Sequence, residues 1–482
     1  MLQKFKLTKT TFPKTGMVLN PDMDVCQTDY PLDWYQEEFI PYAEEYLALP
    51  DRKPKTIINW MKKYVNPAID YFGDKLLLLA HYYMGGEIVK LVEIFGGQVG
   101  DSYQLALMAM RHPEKKLIVE SAVHFMAETI SILANPDQRV FITNPKAGCT
   151  MELNAKDYMV EPALNDLVER YGRNNILPIC YVNTSGRIKA LTGEFGGATC
   201  TSSNVKKIFE WALKQNKKIL FIPDQHMGEN VAGWLDIPSE KIAYWPGGEE
   251  GANYDLFRQD EKTLKRFDES QLVLFCSFCG VHTYFEPEMV DYWHEKKFTV
   301  LVHPECKKVT ADRADGAGST AYLWQKVIND EFKTKHYAVG TENHMVQNLK
   351  EAAAAKGITV VNLADALFPD GGSQGENRDS PPGSPSANLL RAGDKLKERV
   401  SQKLVKGLGC GCATMSRNDP PHLVATLDLL RQGRAPDYNE VKAGDVIADF
   451  SGTRLRLDEA GQKWVIENAR IALENMIKIT ES

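Results

Sequence analysis

The chain has 482 residues, 43% of them hydrophobic and 25% charged, with a formal net charge of -7. That length provides for roughly three domains of about 150 residues each, and the acidic balance excludes the broad basic footprint of a nucleic-acid binder. No apolar run approaches the roughly 18 residues of a membrane span, and the N-terminal stretch "MLQKFKLTKTTFPKTGMVLNPDMD" lacks the apolar centre of a signal peptide. A cytoplasmic protein without membrane or nucleic-acid partners is therefore expected.

Residues 1–65 are rich in Tyr, Pro and charge and read as a helical N-terminal extension. From about residue 75 short apolar strands alternate with helical segments. The strands are expected in "KLLLLAHYY", "KLIVESAVHF", "RVFITNP", "ILPICYVNTS", "KILFIPD", "QLVLFCSF", "FTVLVHPEC", "HYAVGTE" and "ITVVNL". Between them "GEIVKLVEIFG", "SSNVKKIFEWALKQN", "FEPEMVDYWHEK" and "HMVQNLKEAAAAKG" carry helical periodicity. Continuous apolar strands separated by amphipathic helices predict parallel sheets covered on both faces, the doubly wound α/β class. The stretch 369–394 is rich in Gly, Ser and Pro and reads as a flexible loop.

Polar residues gather where the apolar strands stop: His81 and Tyr83, Tyr181 and Asn183, Asp224, His303 and Glu305. Ligands of open α/β sheets bind outside the carboxyl ends of the strands, so these groups stand where chemistry is expected. Any single one could equally be the ordinary polar end of a strand. Ser202 precedes the helix-like "NVKKIFEWALK", where it could help an anion use the positive end of a helix or act as a simple N-cap. Ser319 and Thr320 open another predicted helix in the same manner.

The nine cysteines do not suggest a disulfide framework in a reducing compartment. One CxxC, Cys276 and Cys279, and one CxC, Cys410 and Cys412, have no matching second knuckle for zinc. Alone, they read as small buried hydrophobes. Cys149, Cys279 and Cys412, however, fall at near-equal intervals, as three similar α/β units each delivering one thiol would place them. No nucleotide-binding glycine motif is present.

The blocks "LAHYY", "GDSYQLA", "HFMAET", "NPKAGCTM", "YVNTSGRIKA", "TCTSSN", "FIPDQHMGENVA", "CGVH", "LVHPECKKVTADRADGAGST", "AVGTE" and "CATM" run in order from about residue 70 to 415. Together they resemble the quinolinate synthase family, iron–sulfur enzymes of NAD biosynthesis. "LTGEFGGATC" is longer than the family's usual link, and Cys410 and Cys412 replace a frequent CxxC spacing. The resemblance implies three similar αβα domains in a pseudo-threefold arrangement around a central cleft. These would be residues 66–150 completed by 412–482, residues 151–280, and residues 281–411 with the loop 369–394.

By the same resemblance Cys149, Cys279 and Cys412 are the ligands of a 4Fe–4S cluster, leaving Cys276, Cys306 and Cys410 as bystanders, although Cys410 could replace Cys412. Three thiolates leave one iron of the cubane without a protein ligand, so that it can act as a Lewis acid. His81, Ser102, Tyr181, Asn183, Ser202, Ser319 and Thr320 are implied to bind substrate, and His303, Glu305 and Tyr83 to serve catalysis. His282 is expected to position its loop. The implied substrates are iminoaspartate and dihydroxyacetone phosphate, with an aspartate oxidase or dehydrogenase supplying the former. An iron–sulfur regulatory protein on the same scaffold, or an iron–sulfur hydro-lyase for another hydroxy acid, would share much of this pattern. A regulator, though, could have lost the strand-end residues, and they are all present.

Overall fold

Leucine- and valine-rich runs become strands here because helices cover both of their faces, and the strands are correspondingly buried along their whole length. The computed structural model describes residues 5–10, 32, 35–367, 412, 414–434, 436–447 and 453–482. The loop expected at 369–394 and Cys410 lie outside these residues. The chain forms two compact units, one from the described parts of 1–17, 28–279 and 414–482, the other from those of 18–27 and 280–413.

The first unit begins with β1 (Leu7–Thr10) and holds two parallel sheets. One contains β2 (Leu76–His81), β3 (Gln98–Gly100), β4 (Leu117–Ser121) and β5 (Arg139–Ile142), in the order β3-β2-β4-β5. The other contains β6 (Ile176–Tyr181), β7 (Ala198–Cys200), β8 (Lys218–Ile222), β9 (Ile242–Pro246) and β10 (Leu272–Cys276), in the order β7-β6-β8-β10-β9. The second unit holds a third parallel sheet of β11 (Thr299–Val302), β12 (Gly316–Ala317), β13 (His336–Gly340) and β14 (Thr359–Asn362), in the order β12-β11-β13-β14. Three parallel sheets with intervening helices are the α/β class expected from the sequence. In each sheet the first strand lies between the second and the third. The chain therefore winds first to one side and then to the other, creating a switch point at the carboxyl end of that first strand.

Several elements differ from the sequence reading. The strand expected over "KLIVESAVHF" stops at Ser121, and a helix runs His124–Leu133, with Val123 as its N-cap residue and His124 N donating to Ala147 O at 2.7 Å. β3, β7 and β12 are two or three residues long, too short to show a period of their own. β9, "IAYWP", was not among the expected strands.

The N-terminal segment is helical over Ile40–Leu47 and Pro54–Phe72 and carries β1 in addition. The longer helix starts with Pro at its first position, where the missing N–H costs nothing, and ends at Gly73, whose φ of 54° suits a residue without Cβ. Its partner is the helix Pro420–Arg431, buried along most of its length. Tyr35 and Tyr42 donate to Asp419 and Asp428 at 2.5 and 2.7 Å, tying the N-terminal segment to that helix. The same C-terminal segment fastens to the first sheet. Asn418 accepts from Thr143 Oγ1 at 2.7 Å and donates to Ala122 O at 2.7 Å, and Arg417 donates to Lys146 O at 2.6 Å. The final helix, Glu459–Glu481, lies against the helix Gly186–Glu194, while β1 pairs antiparallel with β16 (Arg454–Leu457), which also pairs with β15 (Val446–Ile447).

Candidate active site

The first strand of each sheet delivers two of the expected site side chains near its carboxyl end. His81 is the last residue of β2 and Tyr83 follows two residues on; Tyr181 is the last residue of β6 and Asn183 follows two on. His303 comes directly after β11, and Glu305 two residues beyond it. The chain turns at once after these strands: Met84 N donates to His81 O and Cys306 N to His303 O, both at 3.0 Å, so the pairs are set by tight turns at the strand ends. The second strands end in a recurring hydroxyl, two residues past β3, β7 and β12, at Ser102, Ser202 and Ser319. Cys149 and Cys279 follow β5 and β10 within a few residues, whereas Cys412 comes after β14 only beyond residues 368–411, outside those described.

His81 is buried, and its Nδ1 accepts the Tyr83 N–H at 3.2 Å. The neutral ring therefore carries its proton on Nε2. The Tyr83 ring stands edge-on to it, 4.6 Å away at 88°. Ser102 is the first residue of the helix Ser102–Ala106, whose capping box is closed by Asp101: its carboxylate accepts from Gln104 N at 2.9 Å. Ser203 donates to the other Asp101 oxygen at 2.8 Å, which brings the Ser102 and Ser202 turns together. Ser202 is not the N-cap. Asn204 holds that position, with its Oδ1 accepting from Thr201 N at 2.7 Å, and Ser202 stands in the preceding turn. Tyr181 is buried. Asn183 keeps its carbonyl Oδ1 buried without a hydrogen-bond partner. Such an acceptor costs stability unless something donates to it, which marks it for a ligand N–H or O–H.

In the second unit Glu305 is 3% exposed and shares a 2.7 Å hydrogen bond with His282 Nδ1. His282 Nε2 lies 3.1 Å from Thr341 Oγ1, and its ring stacks on His303 with centroids 4.3 Å apart. The Glu305 N–H points to His303 Nδ1 at 3.4 Å, repeating the His81–Tyr83 arrangement. His282, expected to position its loop, touches the carboxylate directly, and its ligand atom lies within 4.8 Å of those of Cys279 and Glu305. Ser319 caps the helix Thr320–Ile328 through Tyr322 N at 3.2 Å, and Thr320 is buried at the helix start. Glu342, fully buried, accepts from Met345 N at 3.1 Å and from Cys412 N at 3.3 Å. Asp101, Thr341 and Glu342 lie in the blocks "GDSYQLA" and "AVGTE" but do not stand out there, because short polar residues at helix starts look like ordinary caps.

The cysteines divide by exposure. Cys180, Cys200 and Cys306 are buried, whereas Cys149, Cys279 and Cys412 are partly exposed. Cys276 is also partly exposed, but burial of its sulfur pushes the thiol up to about 12, against the thiolate form that binds metal. Partly exposed thiols are the type of donor that an iron–sulfur cluster uses. Among the described residues no helix is long and apolar enough to cross a membrane.

The sequence matches the family described as "Quinolinate synthetase A protein" over residues 71–370. It is similar to the quinolinate synthase of Geobacillus kaustophilus, 35% identical over 364 residues that cover 75% of this chain and 83% of the relative. It is also similar to that of Rhodopirellula baltica, 32% identical over 84% of this chain and 88% of the relative. The Halalkalibacterium halodurans quinolinate synthase is 38% identical over 60% of this chain and 76% of its own. With strand-end pairs, hydroxyls and thiols repeating through three sheets and these matches across most of its length, the chain belongs to the quinolinate synthase family of enzymes.

Proposed function

We propose that the protein is a quinolinate synthase that condenses iminoaspartate with dihydroxyacetone phosphate, releasing phosphate and two waters. The observation that carries this reading is the threefold recurrence of one plan. Each sheet offers an i, i+2 pair from its first strand, a hydroxyl from its second and a thiol from the chain after its last. A protein that only sensed iron or oxygen would need the thiols but not the repeated polar pairs.

Cys149, Cys279 and Cys412 are the residues that would hold a 4Fe–4S cluster, which supplies a Lewis-acidic iron with a coordination position left by the thiolates. The chain's own groups do the remaining work. Asn183 Oδ1 accepts a hydrogen bond from the substrate imine or hydroxyl, ending its isolation. Ser319 and Thr320, at the start of the helix Thr320–Ile328, bind a carboxylate or phosphate at the positive end of that helix. Tyr181, Ser102 and Ser202 add polar side chains of the first unit that can bind substrate. The 2.7 Å contact between Glu305 and His282 gives a proton two places to sit, Oε2 or Nδ1, and lets Glu305 take a proton from carbon or return one to a departing hydroxyl. Stacked His303 holds that pair in place. His81, with its neutral proton on Nε2, and Tyr83 donate toward developing negative charge. Iminoaspartate hydrolyses readily, so an aspartate oxidase or dehydrogenase in the same cytoplasm would supply it.

Anaerobic purification followed by iron, sulfide and quinolinate measurement tests the reading. A brown protein with four iron and four sulfide per chain that forms quinolinate from the two substrates is expected. A protein without iron–sulfur absorbance, or one that carries the cluster and forms no quinolinate, would overturn it.

A further inference from the structure

Behind the first-unit residues lies a buried group of charges that the proposed chemistry does not use. Lys189, on the helix Gly186–Glu194, is 0% exposed. Its ammonium donates to Val182 O at 2.9 Å and to Thr184 O, the two main-chain carbonyls that flank Asn183. Burial lowers its pKa, and the charges of Glu128 and Glu152 work in the opposite direction. Glu128, equally buried, accepts from Gly186 N at 2.7 Å and from Gly444 N at 2.8 Å. The glycine at 186 is needed there: a Cβ would stand 2.4 Å from Glu128 Oε1. Glu152 lies on the short helix Thr150–Leu153 that starts immediately after Cys149, and it meets His124 Nδ1 at 3.0 Å. One ligand atom each from His124, Glu128 and Glu152 falls within 4.8 Å of the others.

A His and two carboxylates so close invite a metal reading, but the Lys189 ammonium is buried beside them and its charge opposes theirs. The group reaches from the helix behind Cys149 to the loop that presents Asn183. We propose that Lys189, Glu128, Glu152 and His124 form a buried positioning unit that sets the Asn183 loop against the turn carrying Cys149. The roles of Asn183 and Cys149 rest on the function proposed above; the placement of the loop does not.

Lys189→Met keeps most of the side-chain length and removes both donations to the 182 and 184 carbonyls. It leaves Glu128 and Glu152 without their ammonium, so the double variant Lys189→Met/Glu128→Gln is made beside it to restore the charge count. In whichever of the two folds, amide exchange over residues 182–186 should accelerate while the rest of the chain stays protected. Iron and sulfide content should remain at the wild-type level. KM should rise and kcat/KM fall by at least about tenfold, as small displacements of positioning groups do. Recovery of thermal stability without recovery of KM in the double variant supports positioning over charge balance alone. Unchanged exchange at 182–186 and unchanged kinetics in a folded variant overturn the proposal. So does a stoichiometric divalent ion that survives Cys149→Ser and is lost in Glu128→Gln. A wild-type protein that makes no quinolinate defeats the functional reading instead, and the exchange measurement still decides this one.

Discussion

Glu305 shares a 2.7 Å hydrogen bond with His282, and both are almost wholly buried. A Gln there keeps the shape and part of the hydrogen bonding but takes up no proton. Glu305→Gln should therefore retain the cluster and bind a dicarboxylate, followed through the cluster's spectrum, while turnover falls by about a hundredfold or more. Near-normal turnover would remove Glu305 from the chemistry, and loss of the cluster would make it structural. At the cysteines, Cys149→Ser, Cys279→Ser or Cys412→Ser should each abolish the iron–sulfur absorbance. Cys306→Ser, buried and 3.8 Å from Gly340 O, should leave it unchanged. At this scale the sequence named residues but not their company. The His303–Glu305 spacing was legible as alternation along a strand end. The closure of His282 onto Glu305, 23 positions away, depends on how two loops fold and has no local signature.

Two elements carry consequences for stability. Gly193 sits where the helix Gly186–Glu194 meets the helix Glu459–Glu481, and a Cβ at 193 would stand 1.9 Å from the main-chain oxygen of Asn468. Ala is the better helix former by about 1 kcal/mol, yet overpacking costs about 1–3 kcal/mol or more. A clash with backbone cannot be relieved by a rotamer change, so the penalty wins. Gly193→Ala should lower the midpoint of chemical denaturation, and an unchanged midpoint would show that the helices part freely. The second element is β4. Both carboxylate oxygens of its Glu120 are buried without a partner, and burial raises the group from 4.5 to about 8. The folded chain thus holds a proton that the unfolded chain releases between these values, so stability falls as pH rises through that window. Glu128, raised to about 7 by burial, adds to the same trend. Each tenfold difference in proton affinity between folded and unfolded chain is worth about 1.4 kcal/mol. Glu120→Gln should therefore match the wild type at pH 5 and exceed it at pH 8.5 by on the order of 3 kcal/mol. Melting curves at the two pH values check this, and a pH-independent difference would refute it. The long apolar strands and amphipathic helices were readable because their periods span several residues. β3, β7 and β12 contribute only a few ladder bonds each and are strands through their neighbours.

Across the molecule, the described C-terminal residues act as a brace for the first unit. Arg470 donates to Ile132 O and Ala134 O at 2.7 and 2.6 Å, and Asn475 to Gly197 O at 2.8 Å. One helix thus reaches the neighbourhoods of both sheets. Removing residues 459–482 should leave protein that is insoluble or lacks a cooperative transition, and a soluble truncated chain melting at the wild-type temperature would contradict that. None of these contacts was visible from sequence patterns, which record what a segment is and not what it will meet. Tyr35 and Asp419 give no hint of each other in a linear reading, and neither does the fact that three separated stretches obey one winding order.

β1 offers a final consequence. Its residues Leu7–Thr10 are all exposed, and their ladder partner, Arg454–Leu457, is made roughly 450 residues later. At about 5–20 residues per second of synthesis, that strand emerges from the ribosome and waits on the order of half a minute or more before its hydrogen bonds can form. All three parallel sheets lie before β16 in the chain and can assemble in the meantime, each from strands that follow closely. The nascent protein must therefore carry an open strand edge, the kind of surface that recruits chaperones or neighbouring chains, until the ladder between β1 and β16 closes as one of the last steps of maturation.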